Sequence, residues 1–271
     1  MSTQSLSLQQ VAERLGVHYM TVYRYVRHGH LAASKSGGTW EVAIEALERF
    51  QAGEPPGRGM VDWPERLVSR MMVGDTLGAL GVVDAALAAG ATPRSIYLDV
   101  LTPALHEVGE RWASGEIGVD EEHIASAVAM RVMGRLGPRF ARRGRTRGTV
   151  LCASPPLDRH AVSTAMLADL LRAEGYDAVD LGADLPIESL RAATARHDPM
   201  AVAISVSVPV PMHALEQAAQ AVRDVAPRAI VVIGGRAAPT AVPKGAHARI
   251  ASVDELIAVL GDGSAFDAAD R

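Results

Sequence analysis

The chain opens with apolar positions at helical spacing: Leu8, Val11, Ala12 and Leu15 fall on one face. Ser7, with Gln10 three residues on, forms a capping-box pattern at the start of this helix. Gly16 ends it. "VHYMTVYRYVRHG" predicts a second helix closed by Gly29, after a gap of about three residues, which is helix-turn-helix spacing. "LAASK" and "TWEV" then read as two short strands joined at Ser36-Gly37-Gly38, followed by a short helix. Residues 1–51 thus form a small winged unit. "QAGEPPGRG" is rich in Gly, Pro and polar residues, and Pro55-Pro56 cannot continue a helix, so residues 52–60 are read as a linker.

Residues 61–141 carry helix patterns only. "WPERLVSRMMVG", "TLGALGVVDAALAAG", "TPRSIYLDVLTPALHEVGERWASG" and "VDEEHIASAVAMRVMGRL" predict four helices with short connections, hence an antiparallel bundle. Thr92-Pro93 reads as an N-cap followed by proline at the first helical position. From 148 to 262 the period alternates. "TVLCAS", "DAVDLG", "MAVAISVS" and "AIVVIGG" are strands apolar on both faces, "ARIAS" is a weaker fifth, and helices are expected near 161–174, 187–197, 212–225 and 253–260. The expected fold is therefore multidomain α and α/β: a winged helix-turn-helix, a four-helix bundle and a Rossmann-like, doubly wound parallel sheet, with 263–271 as a flexible tail. No G-x-G-x-x-G follows the first strand and no P-loop lysine pattern is present, which argues against a dinucleotide or nucleoside triphosphate.

Composition narrows the class. A length of 271 residues suits two or three modest domains rather than one. Aromatics are only 4%, so the cores must be built from Ala, Val and Leu. No apolar run approaches the ~20 residues that span a bilayer, and "MSTQSLSLQQ" lacks the charged and apolar regions of a secretion signal, so no membrane association and a cytoplasmic location are expected. The single cysteine, Cys152, allows no intrachain disulfide and no thiolate metal cluster. A net charge of −4 does not advertise a nucleic-acid binder, so any such role must rest on a local patch.

"LSLQQVAERLGVHYMTVYRYVRHGHLAASKSGGTWEV" resembles the winged helix-turn-helix of the MerR and excisionase families. The resemblance implies that the second helix enters the DNA major groove, with Tyr19, Thr21, Tyr23, Arg24 and Arg27 as its polar and aromatic residues. Arg24 and Arg27 would reach bases or phosphates, and Lys35 on the wing a phosphate. A small helical interaction domain with surface arginines is the plainer alternative.

The turn "PPLDRHAVS" places one histidine between a buried strand and a helix, where open α/β sheets hold ligands and where ordinary surface histidines also occur. A helical bundle followed by such a sheet resembles the cobalamin-binding module shared with methionine synthase, whose turn reads D-x-H-x-x-G. Asp158, His160 and Ser163 stand at those positions, with serine in place of the glycine. The resemblance makes His160 the lower axial ligand of cobalt, and Asp158 the carboxylate that orients the imidazole and raises its basicity. Ser205 and Ser207 match the family's serine motif, Gly234-Gly235 its glycine pair, and "DLGADLP" its second strand and turn. In the family these residues line a channel for the nucleotide tail.

"RWASGEIGVDEEH" holds Trp112, nine residues, then Glu122-His123. This pattern resembles the CarH/LitR class of light-sensing cobalamin regulators, in which these residues cover the upper corrin face around the adenosyl group. A core tryptophan followed by an acidic helix start is the plainer reading. Some members carry a ligating histidine directly after the tryptophan; here that position is Ala113, which closes that route. The resemblance covers nearly the whole chain. It implies a non-enzymatic, light-responsive repressor that binds adenosylcobalamin and operator DNA as a homo-oligomer, dimer or tetramer. Two alternatives remain open: a regulator of the same architecture with another effector, such as a bilin attached at Cys152, and a corrinoid carrier or enzyme subunit. "RLGPRFARRGRTRG", from Arg135 to Gly148, carries six arginines and no acid. It reads as a solvated linker, a subunit contact or a source of phosphate contacts.

Overall fold

The structure is a computed structural model that describes residues 5–27, 31–36, 39–52, 61–142 and 144–261. The expected closure at Gly29, the Gly37-Gly38 turn, most of the 52–60 linker and the 263–271 tail lie outside these residues.

At the N-terminus, β1 (Ser5–Ser7), α1 (Leu8–Leu15), α2 (Tyr19–Arg27), β2 (Ser34–Ser36), β3 (Thr39–Ala43) and α3 (Ile44–Gln51) follow in order. The capping box is present: the Ser7 hydroxyl accepts the Gln10 N–H at 3.3 Å and the Gln10 side chain accepts the Ser7 N–H at 2.9 Å. Gly16 sits at φ +66°, a left-handed cap. Ser7 also ends β1, a three-residue strand that pairs antiparallel with β3, giving the order β1-β3-β2. "SLS" is too short to show an alternating pattern, so no strand is predicted there. Leu8, Val11, Val22, Val26, Leu31, Val42 and Leu47 form the core.

The next helices are α4 (Trp63–Met72) and α5 (Thr76–Ala88), then the short α6 (Pro93–Ser95), a π-helical stretch Ile96–Leu101, α7 (Thr102–Ala113) and α8 (Val119–Leu136). α4 packs on α5 and on α7. The pattern predicts one continuous helix over 92–115; the structure puts a π turn inside it. Pro103 has no N–H to donate to the carbonyl four residues back, and the wider turn accommodates that missing bond. Thr92 caps α6 with its hydroxyl on the Ser95 N–H, 3.1 Å away.

A 3₁₀ turn, Gly137–Phe140, leads into β4 (Thr149–Ala153), α9 (Ala161–Ala173), β5 (Asp177–Asp180), α10 (Ile187–His197), β6 (Ala201–Ser205), α11 (Met212–Val225), β7 (Ile230–Gly234), β8 (Ala248–Ile250) and α12 (Val253–Gly261). All five strands are parallel, in the order β5-β4-β6-β7-β8. Leu151, Val202, Ile204, Val231 and Ile233 point to one face and pack with α10 and α11. Val150, Cys152, Ala203 and Val232 point to the other and pack with α9 and α12. Alternate residues of each strand therefore enter two different cores, which is why the strands read as continuous apolar runs. The expected fold class is found: helical units with a doubly wound parallel sheet.

By contacts the chain divides into two compact units, Met1–Ala91 with Leu98–Ala125, and Thr92–Tyr97 with Ser126–Arg271. Among the described residues, no helix is long and apolar enough to cross a membrane.

Candidate functional site

The strand order reverses between β4 and β6, and ligands in open α/β sheets bind beyond the carboxyl ends of the strands at that crevice. The turn after β4 carries Asp158 and His160; the turn after β6 carries Ser207. Asp158 is fully buried. Its Oδ1 accepts the His160 ring Nδ1–H at 2.8 Å and the His160 backbone N–H at 3.1 Å. Its Oδ2 accepts the Ser207 backbone N–H. Burial alone would raise the Asp158 pKa, but the bonds from the His160 ring, the Ser207 N–H and the His160 N–H outweigh it and hold the carboxyl below its ordinary range. An ionised acceptor on Nδ1 places the ring proton there and leaves the lone pair on Nε2, the tautomer a metal needs.

A second latch fixes the turn from outside. The Leu157 N–H donates to the Asp184 carboxylate at 2.8 Å, and the Asp184 N–H donates to the Asp158 carbonyl at 2.7 Å. Leu157 adopts φ +77°, an uncommon conformation for a side chain of its size, and the latch holds it there. Asp184 lies inside the "DLGADLP" block, but nothing local marks it as a partner of the histidine turn.

Ser163 occupies the first turn of α9. Its hydroxyl donates to the His160 carbonyl at 3.1 Å and lies 3.1 Å from the Ser207 hydroxyl. A glycine at this position has no such bridge, so this serine ties the start of α9 to the β6 turn. Ser205 is buried at the end of β6 and pairs in register with Gly234. Gly235 stands at φ +106°, and a Cβ there would meet the Val206 carbonyl oxygen at 2.4 Å. Backbone packs directly against backbone at this edge, and no side chain fits. Asp158, His160, Ser163, Ser205, Ser207, Gly234 and Gly235 thus share the carboxyl edge of the sheet.

Cys152 lies in mid-strand, with β5 on one side and β6 on the other, and is fully buried. Burial, and next the Asp180 charge, push its thiol up to about 12. A raised, buried thiol inside the sheet suits packing and argues against the alternative of a bilin attached there. Native protein is expected to resist iodoacetamide at pH 8 and to alkylate only after unfolding in urea. Full-rate alkylation of the native protein would contradict this placement.

In the other unit, Trp112 lies near the end of α7 and is 43% exposed, which is not the environment of a core tryptophan. Glu121 serves the helix start, its carboxylate accepting the Gly118 N–H at 2.9 Å. The neighbouring His123 Nε2 is 3.7 Å from the Glu122 carboxylate. Ala113, the residue after the tryptophan, ends α7. In the helix-turn-helix, Tyr19 is exposed and stacks on Tyr23, ring centroids 6.4 Å apart, while Thr21 is half-buried. The side chains of Arg24, Arg27 and Lys35 lie outside the described residues.

Residues 63–136 and 148–268 each match a family described as a B12 binding domain, and residues 5–55 match a helix-turn-helix domain. The HTH-type transcriptional repressor CarH of Myxococcus xanthus is 32% identical over 214 residues, covering 77% of this chain and 70% of that protein. The chain belongs to the CarH family. Its domain set is that of a cobalamin-binding transcriptional regulator. A methanol–corrinoid protein of Methanosarcina barkeri is 26% identical, over 50% of this chain and 52% of that protein, so the likeness spans about half of either. The solved monomethylamine corrinoid protein of Methanosarcina barkeri matches with a TM-score of 0.64 at 18% identity, covering 74% of this chain and 98% of that one; it shows the shared fold.

For a CarH-family chain the residues present suit the cofactor. A single imidazole has its tautomer set by a buried carboxylate. Among the described residues no three His, Cys, Asp or Glu side chains gather to hold a metal ion. A single imidazole is the protein donor that would suit a metal already held by a macrocycle.

Proposed function

We propose that this protein is a MerR-like, light-responsive repressor that binds adenosylcobalamin and operator DNA in the cytoplasm. The observation that carries it is the Asp158–His160 pair at the switch point of a chain that also has a helix-turn-helix. His160 holds cobalt through Nε2. Asp158 keeps the imidazole in that tautomer and orientation. Ser205, Ser207, Gly234 and Gly235 line the path of the nucleotide tail, with Ser163 bracing its mouth. Trp112, Glu122 and His123 would serve the adenosyl group: the indole would exclude water, and the carboxylate and imidazole would hydrogen-bond the ribose. Bound adenosylcobalamin supplies a light-labile cobalt–carbon bond.

In the dark the loaded protein assembles as a homo-oligomer and presents several helix-turn-helix units, so avidity tightens operator binding. Light reverses assembly and frees the operator. Cobalamin and DNA therefore strengthen each other's binding, and by linkage do so reciprocally.

Purified protein incubated with adenosylcobalamin in darkness and then desalted is expected to retain a corrin spectrum. It should elute as an oligomer and retard DNA fragments from its own gene neighbourhood. Green light should change the spectrum, raise the elution volume and release the DNA. Unchanged size and unchanged DNA retardation after illumination would overturn the photoreceptor reading. The Methanosarcina corrinoid relatives favour a corrinoid carrier or enzyme subunit as the second reading, which predicts corrin retention without any specific DNA retardation.

A further inference from the structure

Helix α2 buries Val22 and Val26 against the core. At about 100° per residue, Met20 lies on the opposite side of the helix from Val22. Positions 20, 24 and 27 fall at i, i+4 and i+7, so Met20 shares one stripe with the positions of Arg24 and Arg27. Met20 is 57% exposed, more so than Tyr19 at 40%, and belongs to the first turn. That turn is held from outside the helix. The His18 ring Nδ1 accepts the Met20 N–H at 3.2 Å, and the His18 carbonyl accepts the Thr21 N–H at 2.8 Å. Tyr19 is turned aside onto Tyr23 by their stacking. The arrangement leaves an unbranched apolar side chain on a fixed backbone, at the head of a stripe that continues with two arginine positions.

Residues at the start of the second helix of a helix-turn-helix reach base edges in the major groove. The one apolar mark on those edges is the thymine C5-methyl group. We infer that Met20 is a base-reading residue that contacts a thymine methyl in the major groove, with His18 as the positioning residue that fixes its backbone. This rests on the DNA-binding reading above. A methionine contact to a base methyl discriminates one base and carries no salt dependence, unlike a contact to phosphate.

The test uses full-length protein loaded with adenosylcobalamin in darkness. A randomised duplex library is selected with the wild type, and each thymine of the selected duplex is then replaced by deoxyuridine, which removes only the methyl group. One replacement is expected to weaken wild-type binding roughly fivefold or more, the lower end of the effect of one base-pair change. In Met20→Ala that penalty should vanish while the dependence of affinity on salt stays the same; in Met20→Leu it should persist. Identical uracil profiles for wild type and Met20→Ala would overturn the inference. So would a Met20→Ala variant with an altered elution volume and unchanged sequence preference, which would make Met20 a contact between copies. Failure of the wild type to select any sequence would overturn the DNA-binding reading itself, and this inference with it.

Discussion

The His160→Ala protein is expected to lose adenosylcobalamin completely on desalting, with an affinity at least 100-fold below that of the wild type. Removing an outer-shell partner of a metal ligand already costs about 10- to 100-fold, and loss of the ligand itself costs more. The fold should tolerate the change. The His160 side chain is 45% exposed and makes no capping bond to α9. Asp158 loses one of its donors but keeps the backbone N–H groups of residues 160 and 207. The stability loss is about 1 kcal/mol, the worth of one ordinary hydrogen bond. Equilibrium dialysis together with thermal unfolding checks both parts. Retention equal to the wild type would remove His160 from the site, and an unfolded variant would show that the imidazole is structural.

Asp158→Asn should weaken both cofactor and fold. Three N–H donors converge on the two carboxylate oxygens of a fully buried side chain. An amide offers one acceptor oxygen and turns its NH2 toward a donor, whichever way it faces. The expected cost is about 3 kcal/mol in the apoprotein, from charge-assisted bonds lost and a donor left unpaired. Cofactor affinity should fall about 10- to 100-fold because the tautomer is no longer held. The pH dependence has a definite sign. The folded carboxyl lies below its ordinary value, so its contribution is complete above the unfolded value of about 3.9 and is lost as pH falls through the lower folded value. Urea unfolding should therefore show a wide gap between wild type and variant at pH 6 that closes in acid. A constant gap down to pH 3 would mean that Asp158 acts by shape and not by charge.

Much of this architecture was legible from local chemistry. The Ser7–Gln10 box, the Gly16 cap and the Thr92-Pro93 start stand where the residue types place them, because a cap is satisfied within a few residues. The parallel strands were legible because each feeds two cores and so lacks polar alternation. Two features were not. β1 is three residues that become a strand only because β3 supplies the partner. The π turn before Pro103 leaves the apolar spacing readable as ordinary helix, since the wider turn shifts the register only locally.

At the site, residue types and their spacing already name the chemistry on offer. Asp158 and His160 are two residues apart, close enough for a turn to join them, and a strand and a helix flank that turn. Folding, and nothing in the local sequence, sets the other oxygen of Asp158 against the N–H of Ser207, 49 residues on. Folding also lets Asp184 latch the same turn from the β5 side and brings Ser163 to the Ser207 hydroxyl. These contacts exist because β4 lies between β5 and β6 in the sheet, which brings the three carboxyl-end turns to one edge. Strand order is settled by how helices cover the two faces of the sheet, a balance of the whole core that no short stretch of residues records.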